Sequence, residues 1–250
     1  QLPRWSLNCF WRKDGEPIWL DPSLWADETK HYGADAALAA EFLQGVAQRL
    51  GLDDSFIFPA FEDQFYYIWR ERNLPINVDP LDARLNDPME RERLAKVFSQ
   101  GLNQVIGHVL PISWNVSADT WQTGEWFLRG KHCYLIPGDS PLGYRLPLES
   151  QPWVSKADYP YINPADPSAK QASLKSYAAI RQQFMSDKTH TLSYNTAPEA
   201  KKSAHQLTRT ALCAEPRDGR LYLFMPPLAE LDHYLALLAA IEATAQDLNQ

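Results

Sequence analysis

Two arginines stand where a guanidinium must find a partner. Arg145 follows the loop Pro141-Leu142-Gly143 into the β-type run Tyr144–Leu148, and Arg209 opens the apolar run Thr210–Cys213. An extended strand aims alternate side chains at one face, so an arginine among apolar neighbours faces either core or cleft. Burying it alone is prohibitive. In a cleft its planar fork would hold a carboxylate or phosphate through two parallel hydrogen bonds. Arg145 and Arg209 are therefore the candidate substrate-binding residues. The plainer alternative is a structural salt bridge to one of the many acids, Glu149 and Glu215 among them.

Other constellations carry less. Gly138-Asp139-Ser140 with Gly143 resembles the nucleophile block of GDS-type esterases, and Glu230, Asp232 and His233 could serve it as acid and base. Such catalysis also needs oxyanion donors, and the further Gly and Asn blocks that supply them in those esterases are missing. A tight turn explains the same residues. The six histidines never pair as HxH or HExxH, and His132-Cys133 on a strand would point to opposite faces, so no metal site is expected. No P-loop or acidic metal cluster is legible, and the catalytic residues stay unknown. Nine tryptophans invite a sugar-stacking reading, but their interleaving with Leu, Ile and Phe favours core. Trp121 and Trp126, flanking a turn, are expected to be the exposed pair.

The scaffold behind these residues is 250 residues long, enough for a sizeable core. Its formal charge of −7 argues against nucleic acid or an anionic membrane as partner. No apolar run approaches the ~20 residues of a membrane span. Three widely spaced cysteines, Cys9, Cys133 and Cys213, read as reduced core or strand thiols of a cytoplasmic protein. The dense aromatic start after Gln1 reads as the middle of a longer polypeptide.

Periodicity assigns the elements. Trp5–Trp25 suggests a hairpin about Asp14-Gly15. Residues 36–50 form an amphipathic helix stopped by Gly51. Phe61, Phe65 and Ile68 mark a shorter one, with Glu62-Asp63 as acids at its start. Asp87, Pro88 and Glu90 cap a third, striped by Leu94, Val97, Phe98 and Leu102. Short β runs follow at 105–112, 125–128, 132–136 and 144–148. Leu174, Tyr177, Ile180 and Phe184 would make one helix inside a flexible insertion near 165–205. Pro216–Gly219 turns a hairpin between 207–215 and 220–225. The closing helix shows Leu228, Leu231, Leu235, Leu238, Ile241, Ala245 and Leu248 on one face, which is expected to pack on that hairpin's sheet. On this reading Leu235→Ala costs much stability and Glu242→Ala almost none. The fold class is α+β, a single domain over 1–250, with short antiparallel strands and hairpins against amphipathic helices.

Four longer strings carry a family resemblance: LPRWSLNCFWRKDGEPIW (2–19), PAFEDQFYYIWRERNLPINVDP (59–80), YLIPGDSPLGYRLPLESQPW (134–153) and RTALCAEPRDGRLYLFMPPL (209–228). The chain resembles an internal segment of large bacterial proteins in which a transglutaminase-like domain precedes a region similar to glutamine synthetase and glutamate–cysteine ligase. The resemblance implies ATP-dependent amide-bond formation on a peptide or amino-acid substrate. ATP and Mg²⁺ are implied for the parent only, with no cofactor in this segment. The implied partners are the transglutaminase-like and ligase-like remainder of that parent. The segment would flank the substrate cleft and be inactive alone. The alternative is a non-catalytic docking module.

Overall fold

The structure is a computed structural model that describes residues 7, 9–82, 88–159, 166, 168, 173–183 and 192–249. The elements run α1 (Ala36–Leu50), β1 (Phe58–Glu62), α2 (Gln64–Arg72), α3 (Pro88–Gln100), β2 (Val105–Pro111), β3 (Ser113–Asn115), β4 (Thr120–Gly124), β5 (Cys133–Leu135), α4 (Tyr177–Gln182), β6 (Leu192–Tyr194), β7 (Ala211–Arg217), β8 (Arg220–Phe224) and α5 (Leu231–Leu248). This is an α+β fold. Five strands form one sheet in the order β5-β1-β2-β7-β8, and β3-β4-β6 form a second. Most pairs are antiparallel as expected, but β1/β5 and β4/β6 run parallel. Among the described residues no helix is long and apolar enough to cross a membrane.

The period of two in β2 and β7 explains the layering. Leu110, Leu212 and Ala214 join the core that contains α1 and α5, whereas Val109, Ala211 and Cys213 face the opposite core with Cys133, Leu135 and Leu142. Helix α1 starts where Asp35 accepts a hydrogen bond from the Leu38 amide and stops at Gly51, whose φ of 68° suits a residue without Cβ. Helix α5 crosses α1 closely at Gly45, where a Cβ would lie 2.7 Å from the Thr244 methyl carbon. Leu237, Ala240, Ile241 and Ala245 share the α1 core.

Several expectations change here. Leu235 and Ala239 pack on Tyr177 and Ile180 of α4 rather than on the sheet. Leu231 is exposed, because the helix begins only there. Phe61 belongs to β1, not to a helix, and α2 buries Tyr67 while Phe65 and Ile68 point outward. Glu62 closes β1, so only Asp63 caps α2. Residues 144–148 form no strand: Leu142–Arg145 is a 3₁₀ turn framed by Pro141 and Pro147, which fix φ and lack an N–H for a ladder. No strand covers 125–128. Asp14-Gly15 does turn, with the Gly15 amide bonded to the Arg12 carbonyl at 3.0 Å, but no strands flank it among the described residues. Asp87, Phe184 and the side chains of Pro88 and Glu90 lie outside the described residues. So does much of 165–205, though the Ala204 amide donates to the Trp153 carbonyl at 3.0 Å.

Tryptophan placement reverses part of the sequence reading. Trp121 and Trp126 are buried, the latter donating to the Thr208 carbonyl, whereas Trp11, Trp25, Trp69 and Trp153 are exposed. Cys133 and Cys213 are core strand residues; Cys9 is exposed. Leu235, 3% exposed between α4 and α5, remains a core position. Leu235→Ala is expected to cost about 2–5 kcal/mol, read as a lower urea midpoint at unchanged m. A shift below ~1 kcal/mol would mean that α4 is not docked on α5.

Candidate functional site

The candidate site is a cleft of about 380 Å³ with Arg145 in its wall. The polar face of α3 supplies Arg93 and Lys96, spaced three apart so that they share one side of the helix. The end of β1 contributes Glu62, the end of β7 Glu215 and Arg217, and the loop after β5 Asp139. The N-terminus of α1 forms part of the rim through Ala34–Ala36.

Arg145 is held from both sides. Its Nε donates to the Ile136 carbonyl at 2.7 Å, its own carbonyl accepts from the Ile136 amide, and Nη2 forms an ion pair with Glu62. Both side chains are nearly buried, so Glu62, not Glu149 or Glu215, is the acid that neutralises it. Nη1 has no hydrogen-bond acceptor among the described residues. Gly143 allows this arrangement: a Cβ there would fall within 2.5 Å of three Phe224 ring atoms, so only glycine lets the turn press onto β8. Tyr67 is buried beside Glu62, and burial first, then the Glu62 charge, pushes its phenol up.

The remaining charges brace the walls. Arg93 pairs with Asp139 at 2.6 Å, which lowers the Asp139 carboxyl from its ordinary value. Arg217 donates to the Asp139 carbonyl at 2.6 Å and reaches Glu215 at 3.5 Å. Glu215 also accepts from the Leu142 amide at 2.9 Å. Arg93 Nε is buried without a partner, and Lys96 forms no ion pair among the described residues. With Arg93 Nε buried, the donors of this cleft without a partner among the described residues are thus Arg145 Nη1 and the Lys96 ammonium. They suit an oxyanion.

Arg209 is placed elsewhere. It does not line this cleft; Nη1 donates to the Gln151 side chain at 3.2 Å, Nη2 to the Pro152 carbonyl, and Nε is buried without a partner. Burial without a carboxylate lowers its pKa. The structure therefore does not bring the two arginines together. Ser140 and His233 are also apart in environment: Gly138 and Asp139 line the Arg145 cleft, while His233 lines another cavity with Trp114. Sequence reading missed Glu62, Arg93, Lys96 and Arg217. The spacing of Arg93 and Lys96 was a visible signal; the partnership of Glu62 with a residue 83 positions away was not.

The carboxylates lining this cleft are already committed: Glu62 to Arg145, Asp139 to Arg93, Glu215 to Arg217 and the Leu142 amide, Asp218 to Arg220, and Asp35 to capping α1. Among the described residues no three His, Cys, Asp or Glu side chains converge to hold a metal ion. These donors do not fit a Mg²⁺-bound nucleotide. Compared with known proteins, residues 1–250 match the family model described as "Putative amidoligase enzyme (DUF2126)". No curated protein and no solved structure matches the chain. Matched along its whole length, the chain belongs to this amidoligase-like family.

Proposed function

We propose that the chain is an internal α+β domain of an ATP-dependent amidoligase associated with a transglutaminase-like domain. In that role it flanks the substrate cleft and holds a carboxylate of a peptide or amino-acid substrate. Nucleotide and Mg²⁺ belong to the ligase-like part of the parent, since the acids here are committed to arginines. The observation that carries this reading is Arg145: 5% exposed, it lines the cleft with one guanidinium nitrogen unengaged among the described residues. Lys96 adds an ammonium in the same wall that forms no ion pair among the described residues. Arg209, enclosed by carbonyls, contributes as an anchor of the 151–152 loop instead.

The test is an NMR titration of this chain with acetate and N-acetylglycine. Saturable shifts should map to α3 and the 138–145 loop. Arg145→Lys keeps the charge but loses the fork, and should weaken binding about tenfold. Lys96→Gln should weaken it severalfold. In the parent enzyme both substitutions should raise KM for the carboxylate substrate. Binding that ignores both variants would leave the cleft without this role.

One observation favours the docking alternative. Phe65, Ile68 and Trp69 lie on one exposed face of α2, and Phe65 meets Tyr134 edge-on at 6.5 Å. Such an apolar face suits a protein contact.

A further inference from the structure

The segment Glu230–His233, a candidate acid–base pair in the sequence, builds a different feature. Asp232 and His233 open α5 and line a second cavity of about 400 Å³. The His233 ring stacks on Trp114, with centroids 3.9 Å apart and planes 22° from parallel. Trp121 meets Trp114 edge-on at 5.2 Å. The imidazole is thus fixed in orientation by two indoles from the second sheet. Neither of its nitrogens has a hydrogen-bond partner among the described residues. Asp119, from the β3–β4 turn, lines the same cavity, and neither it nor Asp232 forms an ion pair among the described residues. Lys175, ahead of α4, is the cation of the rim, and Ile180 and Ala236 supply apolar wall.

Partial burial lowers the His233 pKa, and Lys175 lowers it further, while Glu230, Asp232 and Asp119 pull it up. Burial is the largest of these, so the imidazole favours its neutral form near pH 7. A neutral imidazole offers one acceptor nitrogen, and each carboxylate offers acceptors only. Three acceptor groups, one from the β3–β4 turn and two from the start of α5, therefore share one cavity. A primary ammonium has three donors and no acceptor. We propose that this cavity binds a primary ammonium, with Asp119, Asp232 and the unprotonated nitrogen of His233 as its acceptors and its alkyl stem along Ile180 and Ala236. The free amine of a small molecule and the side chain of a peptidic lysine share this chemistry.

The experiment is an NMR titration of the chain at pH 7.5 with n-butylamine hydrochloride and, separately, Nα-acetyl-lysine amide. Butanol serves as the uncharged control. Saturable shifts of the Trp114 and Trp121 indole N–H signals are expected with one or both amines and not with butanol. Binding of butylamine alone assigns a free-amine ligand, and binding of the lysine derivative a side chain. Asp119→Asn and Asp232→Asn should each weaken binding about tenfold. Asp119→Asn is a safe variant for the fold, because asparagine tolerates the left-handed φ of 50° at this position. Acidification through the His233 titration should weaken binding too, since an imidazolium repels the ligand and has lost its acceptor. No saturable shift with either amine, or affinities unchanged in both folded Asn variants, would overturn the proposal.

Discussion

Glu242→Ala is expected to unfold this protein more readily by about 3–5 kcal/mol, the range for removing one partner of a buried charged network. For a chain of this size that is a fall in Tm of roughly 6–20 °C. Glu242 sits on α5 with no exposure to solvent. One carboxylate oxygen accepts from the backbone amides of Leu20 and Asp21, both at 2.7 Å, and the other accepts from the Tyr177 hydroxyl. A single side chain thus ties the N-terminal segment and α4 to the closing helix. Burial, with Glu242 as the next cause, pushes the Tyr177 phenol up. Alanine would leave two partly buried amides and a buried hydroxyl without their acceptor, the hydroxyl alone a cost of about 1–3 kcal/mol. Glu242→Gln offers a sharper comparison. Its carbonyl can accept from the two amides and its NH₂ can donate to the tyrosine oxygen, so its loss should be well under half that of alanine. Equal losses for both variants would mean that charge rather than hydrogen-bond satisfaction holds the junction. A loss below ~1 kcal/mol for alanine would mean that the junction is not formed.

That residue also shows where sequence reading stops. The 3.6-residue period located α5 correctly, but it assigned Glu242 to a solvated face because charged residues usually lie there. Helix α5 is instead covered on several sides, by α1, α4 and the segment around Asp21, so a single apolar stripe does not describe it. Local chemistry was legible where it decides structure: Gly51 ends α1, and Asp218-Gly219 turns β7 into β8. It failed where partners are distant in sequence. Strand β1 carries the aromatic run of a helix candidate because both of its edges are paired, by β2 and β5. Trp121 and Trp126 looked exposed beside a turn, yet Trp121 joins the core with α1 and α5, and Trp126 is buried against the Thr208 carbonyl. For the site, Arg145 was identified by its apolar neighbours, while its acid and its cleft came from three other elements.

The pairing of Arg145 with Glu62 makes a second large effect measurable. Glu62→Leu leaves a nearly buried guanidinium with the Ile136 carbonyl as its remaining acceptor among the described residues, and Arg145→Met leaves a buried carboxylate beside Tyr67. Each single change should cost about 3–5 kcal/mol. The double change Glu62→Leu with Arg145→Met removes both charges and fills comparable volume, and should cost far less than the sum, because neither charge remains to be desolvated. The same pair separates structure from function. If Arg145 only braces β1 against the 136–145 loop, the double variant should fold and bind acetate as the unmodified chain does. If Nη1 also reaches the ligand, the double variant should be as stable as the unmodified chain or nearly so, and its acetate affinity should fall by about tenfold or more. Urea denaturation of the four proteins gives the coupling, and an acetate titration of the folded double variant gives the role. Additive losses in the first measurement would show that the two charges do not meet. Intact acetate binding in the second would reduce Arg145 to a brace and leave Lys96 as the group that faces the ligand.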